Sequence, residues 1–338
     1  MWQPSGGDAQ PATRSPGDRY HDWASLVIYA SLPLDYATQV RTNRYKIAEQ
    51  SVKVLRARAE ALLAGSKLNP EDVHARTAHP KDDKLHSCER LFSGIDAEQK
   101  ALEAFADDEA EATGMRASLE KVRAELLFFA GSLDSTQEDR ARDYKRRSLL
   151  SLESARRLYR SALLHSLSHH WQAVQYLALT HVLREAGIDV SESPRGLFDV
   201  AWVAAEIDRD REDGKERAFA EGSLAELCLL KALVNGSADE RDAICAAQQH
   251  IKNVLEHETP GGFAVQSTRR QLVRYQRWWS TLPCNPESRE HMRGLATPLI
   301  ELLNRGLGYC SGGPHQSSNH PAGAANTKDN DPSTQRLA

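Results

Sequence analysis

Helix start and stop signals recur along the chain at short intervals, and they constrain the fold more than any other feature. A periodic apolar run over residues 35–63 meets Gly65, a residue suited to the left-handed position that closes many helices. Asp96 followed by Gln99 has the form of a capping box, and the helix it opens is expected to end near Gly114. Residues 115–130 make the next run, stopped at Gly131, and Ser135 with Glu138 opens a long helix reaching about residue 167. Residues 171–186 follow, closed by Gly187. Ser193 before Pro194 places an N-cap ahead of a proline at the first helical position, opening a helix to residue 213 with Gly214 behind it. Residues 218–234 end at Asn235-Gly236, and Ser237 with Glu240 opens another run to about residue 258. Pro260-Gly261-Gly262 breaks the chain, and residues 268–281 and 289–305 make the last two helices. No segment offers a convincing run of strands. Helices of about 15–20 residues joined by short turns become antiparallel neighbours, so the sequence predicts an all-α fold of stacked helical hairpins.

Composition agrees. Ala, Leu, Glu and Arg abound while β-branched residues are sparse, a balance that favours helix. With 7% aromatic residues, the core must be largely Leu, Ala and Val. Residues 1–20 and 311–338 are rich in Gly, Pro, Ser and Gln and carry few core-forming side chains, so both are expected to be disordered tails. Between them we expect an N-terminal helical region over 21–131, with a polar loop at 66–94 broken by Pro70 and Pro80, and a helical array over 132–310.

Several function classes drop out. The net charge of −4 does not by itself argue for nucleic acid or membrane. The apolar stretch 24–34 is too short for a span, which needs about 20 residues. It also lacks the basic flank and cleavage site of a signal peptide. Cys88, Cys228, Cys245, Cys284 and Cys310 are odd in number and nowhere spaced C-x-x-C, so a reducing, cytoplasmic setting is expected.

The most informative stretch is SLLSLESARRLYRSALLHSLSHHWQAVQYLALTHVLREAG. Ala155, Tyr159 and Ala162 stand at i, i+4 and i+7, so small residues flank a large ring on one helical stripe. Trp171 opens the next helix. Ala247, Ile251 and Val254 repeat the interval more weakly. Residues 145–258 resemble a degenerate tetratricopeptide-repeat array, whose second helix carries the same small–aromatic–small spacing; the same spacing also arises in other Ala-rich helical arrays. The strings SHHWQAVQYLALTHVL, EGSLAELCLL and STRRQLVRYQRWW are similar in general appearance to tetratricopeptide proteins of bacterial signalling and conflict systems, a group associated with caspase-like or kinase modules and with the TRAF-binding region of stress kinases. This resemblance implies an adaptor and no catalysis.

The residues themselves mark no reaction. G-x-S-x-G, G-x-x-x-x-G-K, G-x-G-x-x-G and H-E-x-x-H are absent. His74, His79, His86 and Cys88 share the polar 66–94 segment, but their spacings match no structural zinc site, and His165 with His169 lacks a third donor. Cys228 and Cys245 fall on apolar helix faces and read as small core residues. Asp107, Asp108, Glu109 and Glu111 read as a solvated acidic face. We therefore expect no metal and no cofactor.

Arginine is the remaining signal. Arg140, Arg142, Lys145, Arg146 and Arg147 lead into Arg156, Arg157 and Arg160. Arg270, Arg274 and Arg277 recur at helical spacing beside Tyr275, Trp278 and Trp279, with Trp278 one turn from Arg274 and within cation–π reach. Exposed arginine with aromatics is the composition of interface hot spots. Solvated arginines with both tryptophans in the core are the alternative. The expected partner-binding residues are Arg156, Arg160, Arg270, Arg274, Arg277 and Trp278, gripping an acidic or helical partner peptide. A nucleic-acid surface over 140–160, or an enzyme with an unrecognised helical site, are the other readings.

Overall fold

A computed structural model describes residues 34–64, 81–105, 110–133, 138–190, 195–211, 213–235 and 240–307. Among them are ten α-helices and no strand: α1 (Leu34–Ala64), α2 (Lys81–Glu103), α3 (Ala110–Leu133), α4 (Glu138–His165), α5 (His170–Glu185), α6 (Arg195–Arg209), α7 (Gly214–Asn235), α8 (Glu240–His257), α9 (Phe263–Val273) and α10 (Pro286–Gly306). The protein is all-α. Helix α9 runs on through a π turn at Arg274–Trp278 and a 3₁₀ turn at Trp279–Thr281. The expectations for 1–20, 24–33 and 311–338 lie outside the described residues, as do Ser135, Pro194 and Ser237.

Each helix packs on its chain neighbours. Helices α3 and α4 form one long hairpin and α7 with α8 another, while α5 meets α7, α7 meets α9, and α8 meets α10. The core has two main parts that share α3. Leu119, Val122 and Leu126 pack with Val52 of α1 and with Cys88, Ile95 and Leu102 of α2. Ala117 and Ala124 belong to the larger core of α4–α10. The division drawn at 131/132 falls inside α3, two residues before its end.

Three sequence expectations are corrected. The polar loop 66–94 is helical from Lys81 on, because Cys88, Leu91, Ile95 and Leu102 recur at helical spacing and are buried. Asp96 is no cap; it sits inside α2 and pairs with Arg123. Gly114 and Gly131 stop no helix, since both lie inside α3 where a neighbour comes close. A Cβ at Gly114 would sit 2.6 Å from Trp171 Cη2, and one at Gly131 would sit 3.1 Å from the carbonyl of Ala141.

Other signals act as expected. Gly187 has φ 78°, and the Ile188 N–H donates to Leu183 O at 2.9 Å while the Gly187 N–H donates to Arg184 O at 2.9 Å. This pair of bonds is a Schellman closure of α5. Helix α9 begins at Phe263, five residues earlier than expected, because the Glu258 carboxylate accepts from the N–H groups of Phe263 (3.1 Å) and Ala264 (2.6 Å). Asn285 caps α10 by accepting from the Glu287 N–H at 2.9 Å.

Candidate functional site

The first helices of successive pairs, α3, α5, α7 and α9, send polar side chains from otherwise apolar runs to one place. Lys121, Gln175, Glu226 and Gln271 are all buried there. The Lys121 ammonium donates to Gln175 Oε1 and, at 3.1 Å, to Gln271 Oε1. Gln175 Nε2 donates in turn to Glu226 Oε2 (3.0 Å), and Gln271 Nε2 to Glu226 Oε1 (2.9 Å). Two glutamines thus bridge one cation to one anion, each with its oxygen toward Lys121 and its amide toward Glu226. The Tyr275 hydroxyl adds a third bond to Glu226 at 2.9 Å. Burial pushes the Lys121 ammonium well down and the Glu226 carboxyl up, and each opposes the shift in the other. The Tyr275 phenol rises well above its ordinary value through burial and then Glu226.

This network borders a pocket of about 210 Å³ that α1 also lines. Arg270 pairs with Glu60 of α1 at 2.9 Å, and Arg274 pairs with Glu125 of α3 at 2.9 Å while donating to Gln271 Oε1 at 3.3 Å. Val52 and Arg56 come from α1, Met115 and Ser118 from α3, Trp171 from α5, Phe219 and Ser223 from α7, and Thr268 from α9. Tyr159 reaches in from α4, fully buried, edge-on to Trp171 at 5.8 Å between ring centroids. Burial lifts its phenol to about 12. Arg56 is half-buried and has no hydrogen-bond or ion-pair partner among the described residues; burial, then Arg270, brings its guanidinium down to about 10.

At one wall Ser223 Oγ meets His170 Nδ1 at 2.9 Å, and His170 Nε2 lies 3.4 Å from Asp208 Oδ2. The carboxylate only accepts, so Nε2 carries the proton and Nδ1 accepts from the serine. This trio has the order of a nucleophile–base–acid relay. Ser223 stands in mid-α7, where helical backbone N–H groups are already bonded, so its own amide is not free to stabilise an oxyanion. Burial, then His169 and Arg211, brings His170 down to about 4. A histidine with a depressed folded-state value binds its proton more readily in the unfolded chain. Its contribution is complete above pH 6.5 and is lost as pH falls toward 4, to the extent of about 3 kcal/mol. His181 shifts in the same direction through burial. His170→Asn is therefore expected to make denaturation free energies less steep between pH 6.5 and 4.5 without flattening them. An unchanged slope would remove His170 as a source.

The predicted site residues separate. Arg270 and Arg274 reach the pocket together, Arg274 buried rather than exposed. Trp278 is buried too, against Phe128 and Trp279, each at 6.0 Å between ring centroids. Arg156 is buried on α4 over the Tyr176 ring at 5.5 Å. Arg160 and Arg277 are exposed. Along α4, Arg142, Arg146 and Arg157 pair with Asp139 (2.9 Å), Asp143 (2.7 Å) and Glu153 (3.0 Å) on their own helix. Cys88 and Cys228 are buried and burial pushes both thiols up to about 11, whereas Cys245 is exposed and not the core residue expected. Among the described residues no three His, Cys, Asp or Glu side chains group as metal ligands, and no helix is long and apolar enough to cross a membrane. Sequence reasoning missed Arg56, Lys121, Gln175, Glu226 and Gln271. The available signal was a polar residue inside an apolar run, as in QAVQYLAL and SLAELCLL.

Comparison with protein-family models, with curated proteins and with solved structures finds no match to the chain.

Proposed function

We propose that the protein is a non-catalytic interaction scaffold, an adaptor whose tetratricopeptide-like face takes an acidic segment of a partner protein. One observation carries this reading: Arg56, Lys121, Arg270 and Arg274 converge on a single pocket from three helices. The buried Ala155–Tyr159–Ala162 stripe against Trp171 supports the repeat resemblance. An acidic side chain entering the pocket meets a cation in a partly water-excluded setting, where a charge-assisted bond is worth about 1.5–3 kcal/mol.

The test is fluorescence anisotropy with an acidic peptide and its amide counterpart, Gln for Glu and Asn for Asp. The acidic peptide is expected to bind at least about tenfold tighter, and Arg56→Ala to remove that preference. Arg157→Ala, on the exposed face of α4, should leave it intact. Arg274→Ala is a poor probe, because it strands Glu125. Equal binding of both peptides to the unmodified protein would end this reading.

A further inference from the structure

Among the described residues, the cations around the pocket are matched one by one, with a single exception. Lys53 pairs with Glu49, Arg270 with Glu60 and Arg274 with Glu125, and the two glutamines join Lys121 to Glu226. Glu111 is exposed, so water screens it. Arg56 is left over, half-buried, in electrostatic reach of Arg270, Arg274 and Glu60. Its remaining charge calls for one negative charge and no more. The other walls are of a different kind: Met115, Trp171 and Phe219 offer apolar surface, with the Ser118 and Thr268 hydroxyls between them. A pocket of about 210 Å³ has room for one six-membered ring or a short branched chain.

We propose that Arg56 and these walls form a subsite for a single carboxylate carried on a compact apolar body, the guanidinium fork taking both carboxylate oxygens. The proposal rests on reading this face as a binding surface, and names the chemistry it selects. A planar fork favours a planar carboxylate, and its five donors leave enough to hold the anion in two parallel bonds. A dianion such as a phosphate monoester would bring a second charge with no cation left to receive it. The carboxylate can belong to a free small acid or to a side chain of a bound peptide. Because Arg56 lies on α1 and the other walls on α3, α5, α7 and α9, either occupant also ties α1 to the rest of the fold.

Benzoate is the probe, titrated into the full chain by calorimetry beside benzamide and phenyl phosphate. Saturable benzoate binding is expected, at least about tenfold tighter than either analogue. Arg56→Gln should weaken benzoate by about tenfold or more, and Arg56→Lys should weaken it less. Arg56→Gln breaks no ion pair, so its urea midpoint should match the unmodified protein and exclude misfolding as the cause. Absence of saturable benzoate binding, equal binding of benzamide, tighter binding of phenyl phosphate, or indifference to Arg56→Gln would each overturn the subsite. The acidic peptide separates the two readings and the two sources. Acidic-peptide preference in the unmodified protein without any saturable benzoate binding removes the subsite and leaves the scaffold standing. Benzoate binding without any peptide preference does the reverse. Competition between benzoate and peptide assigns the carboxylate to the peptide, and independent binding assigns it to a free acid.

Discussion

Glu226→Leu is expected to lower the unfolding free energy by about 3–5 kcal/mol, the cost of stranding a buried cation. Removing the carboxylate takes the acceptor from Gln175 Nε2, Gln271 Nε2 and the Tyr275 hydroxyl together, and leaves the Lys121 ammonium bonded to two amide oxygens without the anion they bridged it to. Lys121→Met should cost a similar amount for the mirror reason. The double variant should cost far less than the sum, because two apolar side chains replace a pair whose desolvation consumed most of its attraction. Urea denaturation of all four proteins closes the cycle. Additive costs would mean that Lys121 and Glu226 act independently, and that the glutamine bridges carry no coupling between them.

How much of this was legible in the sequence depended on which kind of signal was being read. Helix class and most helix positions came through, since apolar periodicity is a local property repeated over many residues. The Ala155–Tyr159–Ala162 stripe was equally clear, and all three residues are buried. Glycines misled where the reason for them was distant. Gly114 and Gly131 look like helix stops, but their missing side chains make room for Trp171 and for the start of α4, and neither neighbour is predictable from the local string. The pocket was harder still. Lys121 and Gln271 lie 150 positions apart in the chain, so only the tertiary fold makes them partners. Arginine clusters, yet Arg274 serves a buried ion pair, and Arg56, in the string VLRARAEAL, has no aromatic beside it to mark it. The polar residues that build the site look, one at a time, like ordinary interruptions of an apolar helix face.

The π turn hides the tryptophan pair in the same way. On a regular helix, Trp278 and Trp279 differ by about 100° around the axis, so an apolar stripe through Tyr275 and Trp279 leaves Trp278 at its edge. In the structure the Trp279 N–H bonds to Arg274 O, five residues back, and the wider turn brings both rings inward. Trp279 is fully buried, edge-on to Tyr275 at 4.9 Å, while Trp278 is 5% exposed and rests on Phe128 of α3. Side chains take up the carbonyls that the irregular turn leaves: Ser280 Oγ donates to Gln276 O at 2.8 Å and Thr281 Oγ1 to Trp278 O at 2.6 Å. Trp278→Ala is therefore expected to cost about 3–5 kcal/mol, the range for emptying an aromatic site in a packed core. A tryptophan at the surface would give a change within about 0.5 kcal/mol instead. Phe128→Ala in the same background should add less than it does alone, because the two rings share one packing contact. A small cost for Trp278→Ala, or full additivity with Phe128→Ala, would return Trp278 to the surface and undo the inward phase assigned to the π turn.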